Sequence, residues 1–279
     1  MIDERAFLET LNQAIDSNRL TLPTLPEVAL RVRNAVERED SSARQVADII
    51  ATDAALSARL LQVANSPLYR GRVQIDSLQM AVARLGVRVV RSLVVSLIMQ
   101  QIFQATNDLL DRKFRQVWEE SVQIAALSRV IAGGHDHLDK DQAMLAGLIH
   151  NIGALPVLAM ADNYDELQED AAELERVINA LSPEIGSRIL QMWDFPEALV
   201  DVTRHFLDLG YRSEGKASYT EVVLVARLQT LEGTEHGVPM SEWVNVPAFT
   251  KVGVEPEINI IDIEGVADDV QNIEVMFLS

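Results

Sequence analysis

Apolar residues recur every three or four positions along almost the whole chain, and this spacing constrains the fold more than any other feature. It places apolar side chains on one face of an α-helix, whereas a half-buried strand needs alternation at every second residue. Such alternation is scarce, and 13 Gly and 9 Pro among 279 residues leave long stretches unbroken. Because 48% of the residues are hydrophobic, the chain can bury a sizeable core. The sequence predicts an all-α multi-helix bundle.

Capping residues and turn signals divide the chain into predicted helices. Ser41 or Ser42, Thr52 or Asp53, and Ser77 are predicted to begin helices, and Gly86 to end one. The carboxyl-terminal segment is ambiguous, since EINIIDIEGV alternates like a strand. The spacing of Ile263, Val266, Val270, Ile273 and Phe277, with Pro256 before them, favours a helix. The predicted helices cover residues 3–17, 26–38, 43–51, 54–64, 78–85, 87–104, 112–132, 139–151, 154–161, 163–180, 183–193, 197–208, 218–231 and 256–277.

Composition excludes several classes of function. The net charge of −18 argues against general nucleic-acid binding, and the absence of Cys excludes disulfides and thiolate metal sites. The amino terminus, MIDERAFLETLNQAID, has no signal-peptide core, and the apolar run Leu93–Met99 is too short to cross a bilayer. The sequence predicts a soluble cytoplasmic protein that is not associated with a membrane.

Five segments carry a family resemblance, in order, between about residues 20 and 210. They are LPTLPEVALRV, SARQVADIIATDAALSARLLQVANSPLY, IDSLQMAVARLGVRVVRSLVV, GLIHNIG and SPEIGSRILQMWDFPEALVDVTRH. Together they resemble the HDOD domain, the HD-related output domain, within the wider His-Asp phosphohydrolase superfamily. The resemblance implies an amino-terminal helical part, residues 1–108, packed on an HD-like bundle, residues 109–232. An acidic and predicted helical extension, residues 233–279, follows.

The resemblance also indicates where a metal would bind in catalytically active relatives. Those proteins use a His from an earlier helix, an adjacent His-Asp pair and a later Asp, which together activate a metal-bound water. Here the pair is His150–Asn151, the earlier position is Glu120, and the later position is Arg227. His205 resembles a later family His that contacts metal or phosphate. An amide and a guanidinium in place of two carboxylates make this a degenerate pocket, in which we predict no metal.

Three interpretations of that pocket stay open at this point. His150 can be a core histidine hydrogen-bonded to Glu120 or to backbone. The five residues Glu120, His150, Asn151, His205 and Arg227 can form a residual ligand site, or the protein can be a hydrolase with an unusual ligand set. The HDH triplet at His135–His137 follows two glycines in a predicted turn, so we interpret it as a coincidence and not as a metal site.

The ANSPLY segment has a structural and a functional interpretation. Structurally, Asn65 ends a helix, Ser66 and Pro67 begin a turn, and Tyr69 packs its ring while its hydroxyl finds a partner. Functionally, Asn65, Ser66, Tyr69, Arg70 and Arg72 can form a recognition surface.

The leading functional hypothesis is a non-catalytic bacterial signal-transduction module that acts through protein–protein contact. It assigns no catalytic residue and no cofactor, and its partners are unknown signalling proteins. The alternatives are a metal-dependent phosphohydrolase acting on a phosphoester or cyclic nucleotide, which would require a divalent metal, and a small-ligand sensor. The oligomeric state is not predicted.

Overall fold

The computed structural model describes residues 2–17, 26–37, 42–69, 71, 74–102, 108–234 and 236–278, without the side chains of residues 16, 33, 37, 100–102 and 108–111. These ranges contain sixteen α-helices, one 3₁₀ turn and no strand, so the predicted all-α class is confirmed. The helices are α1 (Glu4–Asp16), α2 (Glu27–Glu37), α3 (Ala43–Ile50), α4 (Ala54–Ala64), α5 (Leu78–Leu85), α6 (Val87–Ile102), α7 (Asp108–Ala132), α8 (Lys140–Ile149), α9 (Ala154–Ala161), α10 (Asp165–Glu169), α11 (Ala171–Met192), α12 (Glu197–His205), α13 (Tyr219–Thr230), α14 (Met240–Trp243), α15 (Pro247–Val252) and α16 (Val266–Leu278), with the 3₁₀ turn at Ile260–Asp262.

The predicted capping residues begin the amino-terminal helices. Ser42 accepts a hydrogen bond from the Gln45 amide at 3.2 Å, and Asp53 accepts one from the Leu56 amide at 2.9 Å. Ser77 caps α5 in the same way, and Gly86 ends it with a φ of 85°. These bonds satisfy amide groups that have no partner inside the helix.

The predicted helices at 163–180 and 183–193 were wrong in their boundaries. The chain breaks earlier, at Asp170, which caps α11, and α11 then runs through Pro183 without interruption. Pro183 cannot donate a hydrogen bond to the carbonyl of Asn179, which normally weakens a helix. Here the flanking residues Leu181 and Ile185 are buried, and α11 packs on α9 and α12, so tertiary packing outweighs the lost bond.

The predicted helix over 256–277 begins later than expected. The 3₁₀ turn at Ile260–Asp262 precedes it, and α16 starts only at Val266, after Gly265 adopts a φ of 85°. The Gln229 amide holds the preceding segment by bonding the Ile258 carbonyl and the Ile260 amide, each at 2.8 Å. Pro256 is therefore not a helix start, and Ile263 is 49% exposed.

Two short helices, α14 and α15, were not predicted. Trp243 at the end of α14 is fully buried and stacks on Phe249 of α15 with ring centres 5.3 Å apart. Its indole N–H donates to the Val238 carbonyl. This aromatic pair extends the core beyond α13.

Helix α7 lies at the centre of the packing. It contacts α8, α13 and α16, while α11 packs on α9 and α12, and α6 joins the amino-terminal helices to α8. One continuous hydrophobic core extends from Phe7 in α1 to Phe277 in α16. Within the described ranges, one stretch, Lys140–Ala161, is long and apolar enough to cross a membrane, but 89% of its most apolar window is buried inside the fold, as in the core helix of a folded protein.

Candidate functional site

Two glycines bring the GLIHNIG segment into direct contact with neighbouring helices. A Cβ atom at Gly147 would lie 2.5 Å from the Cα of Ala125 in α7. One at Gly153 would lie 2.1 Å from the Ser182 carbonyl oxygen in α11. No larger residue fits without a backbone shift, so these contacts fix the end of α8, where His150 lies.

His150 is a buried, neutral histidine. Its side chain is 3% exposed, and its ring packs edge-on against Phe206 with centres 4.9 Å apart. Because a carbonyl only accepts, Nδ1 is assigned the proton and donates to the Gly147 carbonyl at 2.7 Å, which leaves Nε2 as an acceptor. Burial lowers the His150 pKa to about 3, the hydrogen bond to Gly147 opposes this shift, and the positive charge of Arg227 adds to it.

Arg227 brings a partly buried positive charge to the same place. Its guanidinium lies over the Phe206 ring, 5.9 Å from the ring centre. Burial lowers the Arg227 pKa, whereas the negative charges of Glu120 and Glu175 raise it. A guanidinium remains protonated in proteins. Arg227 with these two carboxylates, together with His150 and Phe206, is called here the buried centre.

The predicted pocket residues are only partly brought together. Glu120 acts on Arg227 and accepts a hydrogen bond from Gln116 at 2.9 Å. The buried Oδ1 of Asn151 has no hydrogen-bond partner among the described residues.

His205, the fifth predicted pocket residue, has contacts at the surface end of α12. Its Nε2 is 3.5 Å from Asp201, and its ring packs on Tyr211 with centres 4.9 Å apart. Its neighbour Phe206 contacts His150 instead.

The donor set of the buried centre does not fit the metal that the resemblance implies. Among the described residues, no group of three His, Asp or Glu side chains is placed to hold a metal ion. Asn151 offers a neutral oxygen, and the guanidinium of Arg227 repels cations.

Each of the two histidines of the HDH triplet contacts a backbone carbonyl through its Nε2 atom. His135 Nε2 lies 3.2 Å from the Val252 carbonyl, and His137 Nε2 lies 2.9 Å from the Ala217 carbonyl. These bonds tie the α7–α8 turn to later parts of the chain, which favours a structural role for the triplet.

In the ANSPLY segment, Asn65 ends α4 and clamps the following loop. Its side chain donates to the Ile75 carbonyl and accepts from the Ile75 amide, each at 2.8 Å. The hydroxyl of Ser66 is buried without a partner in the described part of the chain. Arg70 and Arg72 lie outside the described residues.

Tyr69 joins the ANSPLY segment to α7 and α8. Its hydroxyl donates to the Asp141 carboxylate, and Arg129 Nε lies 3.2 Å from the same oxygen. The Arg129 guanidinium also lies 5.3 Å from the Tyr69 ring centre. Burial and the Asp141 charge raise the Tyr69 pKa. We call Tyr69, Arg129 and Asp141 the Tyr69 cluster. Sequence reasoning missed Arg129 and Asp141, although charged residues on otherwise apolar helices are a signal that could have found them.

The HDOD domain model matches residues 22–208. A crystal structure from Shewanella amazonensis, described as a candidate metal-dependent phosphohydrolase, is 33% identical, covers 98% of this chain and 99% of that one, and has a TM-score of 0.83. An HDOD domain protein of unknown function from Geobacter sulfurreducens has a TM-score of 0.71 at 19% identity, covering 99% and 100% of the two chains, which shows a shared fold.

A further relative is a protein of Treponema pallidum, 26% identical over 204 residues, which are 69% of this chain. The chain spans 39% of the length of that curated relative. Because the HDOD domain model matches more than half of the chain, this chain belongs to the HDOD family.

Proposed function

We propose that this HD-related module is non-catalytic and acts in bacterial signalling through contact with other proteins. The observation that carries the proposal is the partly buried positive charge of Arg227 beside a neutral, buried His150. In catalytically active relatives, the position that corresponds to Arg227 holds an Asp that binds the metal. In this chain a positively charged guanidinium replaces that negatively charged metal ligand.

The guanidinium of Arg227 opposes a metal at this centre. A divalent ion about 5 Å from a guanidinium is repelled by about 7 kcal/mol at an effective dielectric constant of about 20. The carboxylates of Glu120 and Glu175 offset part of this repulsion. Asn151 removes one further negative charge that would attract the ion. A metal-activated water, the nucleophile of the superfamily, is therefore disfavoured here.

A signalling role agrees with one structural relative. A protein from Marinobacter aquaeolei described as a candidate signal transduction protein has a TM-score of 0.65 and is 18% identical, covering 99% of this chain and 66% of that one. At this identity the likeness concerns the fold, and the function is part of our proposal.

Metal-dependent phosphohydrolysis is the second candidate, and one observation favours it. The Nδ1–H of His150 bonds a backbone carbonyl, which is the arrangement that orients many metal-binding histidines and leaves Nε2 free. The description of the Shewanella relative points the same way.

Calorimetric titration with Mn²⁺, combined with hydrolysis of bis(p-nitrophenyl) phosphate, separates the two candidates. We expect no saturable Mn²⁺ binding and no turnover by the wild type. The variant E120H/N151D/R227D, which restores the superfamily ligands, is expected to bind about one ion per chain. The variant H135A/H137A controls for binding at the HDH turn. Wild-type turnover that H150A abolishes would overturn the proposal.

A further inference from the structure

A cavity of about 420 Å³ opens between the start of α7, the first half of α11 and the turn at residues 236–237. Its size lies in the range of small-molecule sites, about 300–1,000 Å³. The side chains that give it chemical character are Lys113, Glu175, Arg176, Asn179 and His236.

The lining can bind polar groups but offers no surface for stacking. Lys113 Nζ lies 2.9 Å from the Glu175 carboxylate. The side-chain amide of Asn179, which lines the cavity, has no hydrogen bond to another described residue. Among the described lining residues there is no Phe, Tyr or Trp, so a nucleobase would find no aromatic ring. Lys113 and Arg176 are cations, whereas Glu175 is the one acidic residue of the described lining.

One wall of this cavity adjoins the buried centre. Glu175 pairs with Lys113 on the cavity side, and its charge also acts on Arg227. A ligand that drew Lys113 away from Glu175 would leave this carboxylate to Arg227 alone.

Arg176 connects the cavity to α1, which lies outside the matched family region. Its guanidinium bonds Glu173 at 2.9 and 3.0 Å, the Ile2 carbonyl at 2.8 Å, and the Glu4 carboxylate. Further along α1, Phe7 and Leu11 are buried in the core. Arg176 therefore holds the first turn of α1, while the rest of the helix is fixed by packing and by a hydrogen bond from Arg188 to Asn12.

We propose that this cavity binds a small non-aromatic anion, a phosphate or carboxylate compound, through Lys113 and Arg176, and that binding loosens the first turn of α1. The anion competes with Glu4 and the Ile2 carbonyl for the Arg176 guanidinium. The regulatory meaning of this release rests on the proposed signalling function, whereas the binding itself does not.

Isothermal titration with inorganic phosphate and with succinate tests the site, with putrescine as a cationic probe. We expect at least one anion to bind, with an affinity lowered about tenfold or more in K113M, because a charge-assisted hydrogen bond is lost. The matched control K140M removes an exposed lysine of α8 and should bind like the wild type. If K113M does not fold, N179L replaces it. Absence of anion binding, equal binding by K113M, or preference for putrescine would overturn the site.

Hydrogen exchange of residues 2–7 tests the coupling to α1. The anion that binds should speed exchange there, and R176M should show the faster exchange without any anion. Unchanged exchange in the anion-bound wild type would refute the coupling. Neither outcome depends on Mn²⁺ binding, so this proposal and the proposed function can fail separately.

Discussion

The Tyr69 cluster offers the sharpest test of how the ANSPLY segment works. In Y69F the ring remains over Arg129, but Asp141 loses the hydroxyl that donates to it. A hydrogen bond to a charged group contributes about 1.5–3 kcal/mol. We expect Y69F to lower the free energy of unfolding by about 2 kcal/mol, which corresponds to a fall in Tm of about 3 °C for a chain of this size.

Urea denaturation followed by far-UV circular dichroism measures this change. Y164F is the matched control, because its ring packs on Phe7 and its hydroxyl has no hydrogen-bond partner among the described residues. It should stay within about 0.5 kcal/mol of the wild type. A value for Y69F equal to that of Y164F would refute a structural role of the hydroxyl.

The double variant Y69F/R129M extends the test to the ion pair. R129M leaves the Asp141 carboxylate buried without its cation, at a cost of about 3–5 kcal/mol. The effects of Y69F and R129M should not add, since both act on one carboxylate oxygen. Simple additivity would show that the two contacts are independent.

Three other predictions concern His150, Gly153 and Asn65. The His150 pKa is about 3 in the folded state and about 6.5 in the unfolded state, so the unfolded state binds more protons between these pH values. The free energy of unfolding should therefore fall as the pH drops through this window, by up to about 1.4 kcal/mol per pH unit. Urea denaturation at each pH should show a shallower fall for H150Q, and equal slopes would contradict a neutral, buried His150. G153A should lower Tm far more than G210A, because its Cβ would meet backbone at 2.1 Å, whereas that of G210A would meet only the Asp208 side chain at 3.4 Å; similar melting curves would contradict the close approach. N65A removes both bonds to Ile75 and should cost about 1–3 kcal/mol, with faster hydrogen exchange at Ile75; unchanged exchange would argue against the clamp.

The sequence predicted best those features that depend on neighbours along the chain. Ser42, Asp53 and Ser77 cap their helices through residues three positions away, so their signal is local. The amphipathic spacing around Trp118 and Trp193 likewise indicates core positions, and both side chains are buried.

Features that depend on distant residues were missed. Helix α11 continues through Pro183 because the helix packs on α9 and α12. The residues next to Pro183 in the sequence give no indication of these contacts. The bond between Tyr69 and Asp141 joins residues 72 positions apart. The family resemblance predicted that His150, Glu120 and Arg227 belong to one pocket. It could not predict that Phe206 contacts both His150 and Arg227.

The position of Arg227 has a consequence for how function diverges in this family. The family model ends at residue 208, so His150 and Asn151 lie inside the shared segment and Arg227 lies beyond it. The same is true of Phe277, whose carbonyl accepts from Trp118 of α7. The matched segment thus contains Glu120, Glu175 and His150, while the positive charge beside them comes from α13. Our proposal therefore makes a single residue of α13 decisive for metal binding, although that residue lies outside the matched segment.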